Sequence, residues 1–303
     1  MIIVGGGPAG LAAGIYSARA KMKTLLIEKG LIGGQAATTS EIENYPGFPE
    51  SVGGPELCEL MEKQAKKFNI DIRTEEFKNL SISDKLKLVE TSKGTYQASA
   101  VILAMGAEPK KLGVKGEDEF RGAGVSYCAT CDGFFYNGKK VMVVGGGDTA
   151  VEEALFLTKF AEKVFVVHRR DQLRATKILQ ERAFSNKKIE IIWNSVVKRI
   201  EGSNKVERVV MENVKTKQEK TVEVDGVFMA IGYTPTSDAI KKIINTDEAG
   251  YVITDEEMRT NIRGVYAVGD IRKKPLRQVI TAVSDGAVAA VSASKYVEEL
   301  KNV

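Results

Sequence analysis

Ile2-Ile3-Val4-Gly5-Gly6-Gly7-Pro8-Ala9-Gly10 reads as a short apolar strand running into a glycine-rich turn of the form G-x-G-x-x-G. A helical pattern over residues 11–19 and a second apolar strand over 24–27 follow it. The same arrangement returns 140 positions later without a gap: Met142-Val143-Val144-Gly145-Gly146-Gly147-Asp148-Thr149-Ala150, a helical pattern over 151–160 and a strand over 164–167. Each copy is a βαβ unit of the kind that binds a dinucleotide, and its glycines have separate tasks. Gly5 and Gly145 allow the tight turn, and Gly7 and Gly147 let backbone N–H groups approach a pyrophosphate. Gly10 or Ala150 lets helix and strand pack closely, with the phosphate at the positive helix end beside Pro8-Ala9 or Asp148-Thr149. One copy alone would be weak evidence. Two copies in the same context predict two nucleotide sites on an α/β chain.

Twenty-three positions after the first glycine of each copy, the two units part. In the first copy that position is Glu28, at the end of Leu25-Leu26-Ile27, where a carboxylate accepts hydrogen bonds from a ribose diol. In the second it is His168, followed by Arg169 and Arg170, with no carboxylate before Asp171. Guanidinium forks in place of an acid suit a ribose 2′-phosphate, which a carboxylate would repel and Arg can bind bidentately. The first site is expected to take an adenosine with free hydroxyls and the second to prefer NADPH. Arg174 adds a third positive contact if a short helical turn carries it back. A solvated basic turn is the alternative reading of this run. His168, the sole imidazole, reads as a phosphate or ribose contact rather than a general base.

Each copy also closes on a similar run, Val101-Ile102-Leu103-Ala104-Met105-Gly106 and Val227-Phe228-Met229-Ala230-Ile231-Gly232. Ala104 with Gly106, and Ile231 with Gly232, are expected to bring backbone close to the neighbouring nucleotide loop, where a larger side chain would collide. A further apolar strand ends in Gly269-Asp270. That aspartate can hold a sugar-like hydroxyl, such as the ribityl chain of a flavin, and is equally readable as a capping residue.

Cys128-Ala129-Thr130-Cys131-Asp132 precedes the second glycine turn, and Cys58 is the third and last cysteine. Two thiols at this spacing can close a small disulfide ring, and such a ring beside a nucleotide-binding fold couples a dithiol to a hydride-carrying cofactor. Half a zinc site and a pair of inert core cysteines are the alternatives. Zinc needs four ligands, and Cys58 and His168 offer no second pair. No metal is expected on that count, and Asp132 directly after Cys131 argues against the purely apolar setting of inert core cysteines. Cys58, in a helical pattern over 55–68, reads as a packing residue.

The bulk numbers agree with a globular two-domain chain: 303 residues, 43% hydrophobic and 28% charged, with a net charge of +4 from 44 basic and 40 acidic residues spread along it. Such a balance implies no nucleic-acid footprint. No apolar run approaches the length of a membrane span, and Met1-Ile2-Ile3 carries no basic leader. A cytoplasmic protein is the expectation, because three cysteines are too few for a secreted disulfide scaffold.

These motifs, together with Cys128 to Phe135, Gly269-Asp270 and Arg277-Gln278, resemble the bacterial-type, low-molecular-weight thioredoxin reductases over essentially the whole chain. The resemblance implies two Rossmann-like, three-layer ββα nucleotide-binding domains. A discontinuous FAD domain would span 1–112 and 239–303, and an inserted NADPH domain would span 113–238. Gly33-Gly34-Gln35 and Asn44-Tyr45-Pro46-Gly47 match the flavin-side loops of that family, and Arg277-Gln278 its isoalloxazine contact. Two departures stand out: the start is a few residues short of the usual first strand, and Asp148 stands where Asn is frequent.

The implied reaction carries electrons from NADPH through FAD to the Cys128/Cys131 disulfide and on to thioredoxin. Cys131 would face the flavin, Cys128 would attack the substrate, and Asp132 would serve as acid/base. A homodimer is implied too. Because the thiols and the nicotinamide site share one domain, that domain is expected to rotate about crossings near 112–116 and 232–236. The neighbouring reading is a reductase of the same build serving a glutaredoxin-like or peroxidase partner.

Overall fold

A computed structural model describes residues 1–39, 42, 44–83 and 86–301, so the last two residues of the expected FAD segment lie outside it. The chain divides into two compact units, Met1–Glu108 with Thr234–Val303, and Pro109–Tyr233.

The first unit opens β1 (Ile2–Val4), α1 (Pro8–Arg19), β2 (Leu25–Glu28), α2 (Gly54–Lys67) and β3 (Asp71–Thr74). Three antiparallel strands follow, β4 (Phe77–Ser83), β5 (Leu86–Thr91) and β6 (Thr95–Ala98), and then β7 (Val101–Leu103). The chain crosses through β8 (Ala107–Pro109) into the second unit. There it forms β9 (Val125–Ser126), α3 (Ala129–Asp132), β10 (Lys140–Val144), α4 (Asp148–Leu157), β11 (Lys163–Val167), α5 (Lys177–Ser185) and β12 (Ile189–Ile192). The antiparallel β13 (Ser195–Gly202), β14 (Val206–Asn213) and β15 (Glu219–Glu223) lead to β16 (Gly226–Met229). It returns through β17 (Tyr233–Pro235) to β18 (Val265–Ala267) and the long α6 (Val279–Lys301).

Both units build the same parallel sheet. Its order is β18-β7-β1-β2-β3 in the first and β9-β16-β10-β11-β12 in the second. The registers match in kind, Ile3 opposite Leu26 and Ile102, Val143 opposite Val166 and Phe228. Successive side chains point to opposite faces, so an uninterrupted apolar strand feeds two cores at once. Ile3, Leu26, Ile102 and Tyr266 pack with residues of α1, α2 and α6, whereas Ile2, Val4, Val101 and Leu103 pack with Leu80, Val89 and Ala98 of the small antiparallel sheet. The second unit repeats this: Val141, Val143 and Phe228 meet Ala154 and Leu157, while Met142, Val144 and Val227 meet Val197, Val209 and Met211. Each unit is thus an antiparallel sheet, a parallel sheet and a helical layer. At roughly 1.5–3 kcal/mol per buried large aliphatic side chain, this double-sided burial dominates the folding energy.

Two expectations need adjusting. The helices begin at Pro8 and Asp148, inside the glycine motifs, because Gly7 and Gly147 are themselves the N-cap residues. The segment 112–116 is also no free hinge. Glu117 accepts the N–H groups of Leu112 (3.0 Å) and Gly113 (2.7 Å), and a β-carbon on Gly116 would lie 2.1 Å from the carbonyl oxygen of Ile200. The first crossing lies earlier, at β8, which pairs with β17 inside the expected second crossing at 232–236, flanked by bonds from Lys110 N–H to the Gly232 carbonyl (2.9 Å) and from Thr236 N–H to the Gly106 carbonyl (3.1 Å). Among the described residues no helix is long and apolar enough to cross a membrane.

Candidate active site

In the first unit the glycines divide their work by measurable contacts. Gly5 has φ +108, and a β-carbon on it would lie 2.3 Å from the Ala104 carbonyl oxygen; one on Gly10 would lie 1.9 Å from the Gly5 carbonyl oxygen. Gly7 is open, since a β-carbon on it would come no nearer than 3.9 Å to the Gly33 carbonyl oxygen, so its backbone can be approached from outside. No side chain among the described residues caps α1, whose first helical position is Pro8. The N–H groups of its first turn are therefore available to an anion. Glu28 is anchored by two backbone donors, Gly6 N–H on Oε2 (2.7 Å) and Gly30 N–H on Oε1 (3.0 Å), each oxygen keeping a further lone pair.

The flavin-side loops named by resemblance gather in this unit. Gly33 donates its N–H to the Gly6 carbonyl (2.9 Å), and a β-carbon on Gly34 would lie 3.5 Å from Gly7 Cα. Cys58 is buried against Gly33, and burial pushes its thiol up to about 11, as suits a packing residue. Gln35 is exposed on a 3-10 turn. Asn44 Nδ2 donates to Gln278 Oε1 (3.1 Å) across 234 positions. The Arg277 guanidinium sits 4.0 Å over the Tyr251 ring. Asp270 follows Gly269 at the carboxyl end of β18, and burial raises its carboxyl above the usual range.

The second unit repeats the turn with different chemistry. A β-carbon on Gly145 would lie 2.4 Å from the Ala230 carbonyl oxygen and 2.7 Å from Ala150 Cβ. The crowding expected at Gly106 and Gly232 thus falls on Gly5 and Gly145. Gly106 and Gly232 are open but have φ of +69 and +101, which only glycine adopts freely. Gly147 caps α4 without a side-chain bond. Asp148 Oδ1 accepts the Thr176 N–H (2.7 Å), Thr149 is exposed in the first turn, and Ile231 is half-buried.

Arg169, Arg170 and Arg174 are exposed and, among the described residues, in no ion pair, because Asp171 is engaged by Lys215 at 3.1 Å. Arg174 is indeed carried back, through a bend rather than a helical turn. Its N–H donates to the Gly146 carbonyl (2.7 Å), and a Gly147 β-carbon would lie 3.9 Å from its Nη2. His168 lies beneath the turn rather than at its mouth, 5% exposed. Burial, with the three arginines, holds its imidazole below the usual range and therefore neutral.

Cys128 and Cys131 are joined by a disulfide, with Cα atoms 5.3 Å apart, on the short α3. Ser126, a buried residue absent from the sequence-based expectations, organises this turn. Its Oγ donates to Asp132 Oδ2 (2.6 Å) and accepts the Cys128 N–H (3.1 Å). Glu153 on α4 was also missed. Its carboxyl takes a bond from the Ala129 backbone, and burial raises it to about 8. The signals were faint: a Ser two residues before the first cysteine, and one of two adjacent acids on α4, next to the buried Ala154. Phe134 and Phe135, directly after the turn, are 54% and 42% exposed.

The orphaned groups test whether nucleotides fit here. Among the described residues, the buried side-chain atoms lacking a hydrogen-bond partner are Glu153 Oε2, His168 Nε2, Asp270 Oδ1 and Arg277 Nε. Each such group costs roughly 1–3 kcal/mol unless something satisfies it. Asp270 and Arg277 are residues marked from sequence as flavin contacts, whereas His168 lies beneath its turn, so in the second unit the fit rests on the uncapped start of α4 and the exposed arginines. The donor set therefore fits a dinucleotide in each unit.

The comparisons with known proteins agree. A family model described as pyridine nucleotide-disulphide oxidoreductase matches residues 1–286. A thioredoxin reductase of Peptoclostridium acidaminophilum is 51% identical, with 98% of this chain and 96% of that protein covered. The thioredoxin reductase of Bacillus subtilis strain 168 is 50% identical, with 99% and 95% covered. The crystal structure of thioredoxin reductase from Streptococcus pyogenes MGAS5005 is similar with a TM-score of 0.91, at 48% identity, covering 98% of this chain and 97% of that one. By its repeated nucleotide frames, its Cys128–Cys131 bond and these likenesses, the chain belongs to the pyridine nucleotide-disulphide oxidoreductase family, among the thioredoxin reductases.

Proposed function

We propose that this chain is an NADPH-dependent flavoprotein that reduces the disulfide of thioredoxin. The observation that carries the reading is the Cys128–Cys131 disulfide on the same unit as an arginine-flanked nucleotide turn. In the first unit, Glu28 would hold the FAD ribose and the start of α1 its pyrophosphate, with Asp270 beside the ribityl chain and Arg277 with Gln278 beside the ring system. In the second, Gly147 and the start of α4 would hold the NADPH pyrophosphate, and Arg169, Arg170 and Arg174 its 2′-phosphate. When bound, the flavin supplies the two-electron link between nicotinamide and disulfide.

The chain's own chemistry is thiol exchange. In the reduced state the Cys128 thiolate attacks one sulfur of the partner disulfide, forming a mixed disulfide and expelling the other sulfur as a thiolate. Asp132, oriented by Ser126, gives that leaving group its proton. The Cys131 thiolate then attacks Cys128, re-forming the internal disulfide and expelling the partner's second sulfur as a thiolate, which takes a proton from solvent to complete the partner dithiol. The exposed Phe134 and Phe135 offer an apolar contact beside the thiols. A homodimer in the cytoplasm, and alternating access through the β8/β17 ribbon, complete the reading. Its support is chain order, since one inserted segment carries both the thiols and the NADPH turn.

The test is NADPH oxidation with thioredoxin as acceptor, for the FAD-loaded protein and a Cys131→Ser variant. Turnover that vanishes in the variant and prefers NADPH over NADH is expected. Protein that stays colourless after FAD is supplied, or stays active without both cysteines, would overturn the reading.

A further inference from the structure

Beyond Asp270 the chain carries a buried charge cluster that none of the steps above uses. The side chains of Arg272, Lys274 and Asp285 are 13%, 7% and 9% exposed. Asp285 projects from the early turns of α6 and takes three donors at 3.0 Å: Arg272 Nη1 on Oδ1, and both Lys274 Nζ and the Gly269 backbone N–H on Oδ2. Lys274 Nζ also donates to Thr281 Oγ1 (3.2 Å) and stands 3.8 Å from Asp270 Oδ1, the oxygen with no hydrogen-bond partner among the described residues.

Folding stability does not explain this cluster. Desolvating each buried ion costs several kcal/mol, and well-packed apolar residues of similar volume are commonly as stable or more so. Geometry offers a better account. The cluster grips both residues of the Gly269-Asp270 turn, Gly269 through its N–H and Asp270 through a cation near its free oxygen. Gly269 has φ +74, and a β-carbon there would lie 3.0 Å from Ala9 Cβ at the start of α1. The turn is therefore locked on one side by α1 and on the other by Asp285.

We propose that Lys274 and Asp285 are a positioning pair for flavin binding, which holds the Gly269-Asp270 turn and the inner oxygen of Asp270 so that the 35%-exposed carboxylate faces a hydroxyl of the ribityl chain in one fixed orientation. This rests on the reading of Asp270 as a flavin contact. Asp285 fixes the backbone. Lys274, itself held by Asp285 and Thr281, tethers the carboxylate without consuming its acceptor sites, because 3.8 Å is beyond a hydrogen bond yet within ion-pair reach. Burial opposes a charge on Asp270, and Lys274 is the foremost group that offsets it.

The experiment measures FAD dissociation from the full chain by flavin fluorescence for Lys274→Met, Lys274→Arg, Asp270→Asn and the Lys274→Met/Asp270→Asn double variant, with the thermal midpoint of each apoprotein alongside. Lys274→Met is expected to weaken FAD about tenfold or more, Lys274→Arg to restore most of the affinity, and the double variant to be no weaker than Asp270→Asn alone. Thr281→Val, which removes one anchor of Lys274 and no charge, is expected to weaken FAD a few fold and serves if Lys274→Met does not fold; because Thr281 Oγ1 also bonds the Gln278 backbone, its effect supports the pair only if it vanishes in the Asp270→Asn background. Wild-type affinity in Lys274→Met or Thr281→Val, or losses that multiply in the double variant, would overturn the positioning role while leaving the Asp270 assignment intact. Wild-type affinity in Asp270→Asn would overturn that assignment and the inference with it.

Discussion

Gly146 lies so close over His168 that a β-carbon at 146 would stand 2.2 Å from the imidazole Nδ1. The matching pair in the first unit is in contact too, with a Gly6 β-carbon 3.1 Å from Glu28 Cβ, and adds a 2.7 Å hydrogen bond to the carboxylate. The middle glycine of each turn is thus the seat of the residue that distinguishes the two sites. Gly146→Ala must displace His168 or the turn, an overpacking of roughly 1–3 kcal/mol. A lowered melting temperature, a KM for NADPH raised tenfold or more, and unchanged flavin content are expected from calorimetry, steady-state kinetics and absorbance.

Arg169 and Arg170 are exposed and unpaired among the described residues, which leaves their charge for a ligand. A charge-assisted hydrogen bond contributes roughly 1.5–3 kcal/mol, or about 10- to 100-fold in affinity. Arg169→Ala/Arg170→Ala should lower kcat/KM for NADPH by at least that range and leave NADH nearly untouched. An equal loss with both nucleotides would refute a 2′-phosphate role.

Ser126 holds Asp132 through the 2.6 Å bond to Oδ2. Ser126→Ala leaves the acid in place but removes this bond, so thioredoxin reduction should slow about 3- to 30-fold while reduction of the flavin by NADPH in stopped flow stays unchanged. Asp132→Asn should slow the same step more severely.

Glu153 supplies a pH test. Burial raises its carboxyl from 4.5 to about 8 in the folded state. The folded form therefore binds the proton more tightly than the unfolded chain does, and stability falls as pH rises from the unfolded value through the folded one. Glu153→Gln removes this dependence. Urea denaturation should find the variant and the parent similar near pH 4 and the variant more stable by about 5 kcal/mol at pH 9. Parallel stability curves would show that the carboxyl is not held neutral.

Much of this was legible from residues close together in the chain. The glycine turns, the strands on either side of them, and the exchange of Glu28 for His168-Arg169-Arg170 follow from local periodicity and spacing. So does the dithiol pair, because the geometry of a turn or a ring is set within a few residues. The reason for particular glycines was less legible. Gly5 and Gly145 are required by the carbonyls of Ala104 and Ala230, which reach them only when β7 and β16 are laid beside β1 and β10.

Ser126, Glu153, Lys274 and Asp285 were not visible as functional residues at all. Each is an ordinary polar residue in the sequence, and its role arises from burial and from a partner placed by folding. The hydrogen bond between Asn44 and Gln278 spans 234 positions, a distance no local pattern encodes. The amino-acid sequence by itself determined that there would be two nucleotide turns and one reactive cysteine pair, since short-range sterics and alternation decide those. Which buried charges face one another was decided only by the tertiary structure, because desolvation and ion pairing depend on what the packed layers bring within a few ångströms.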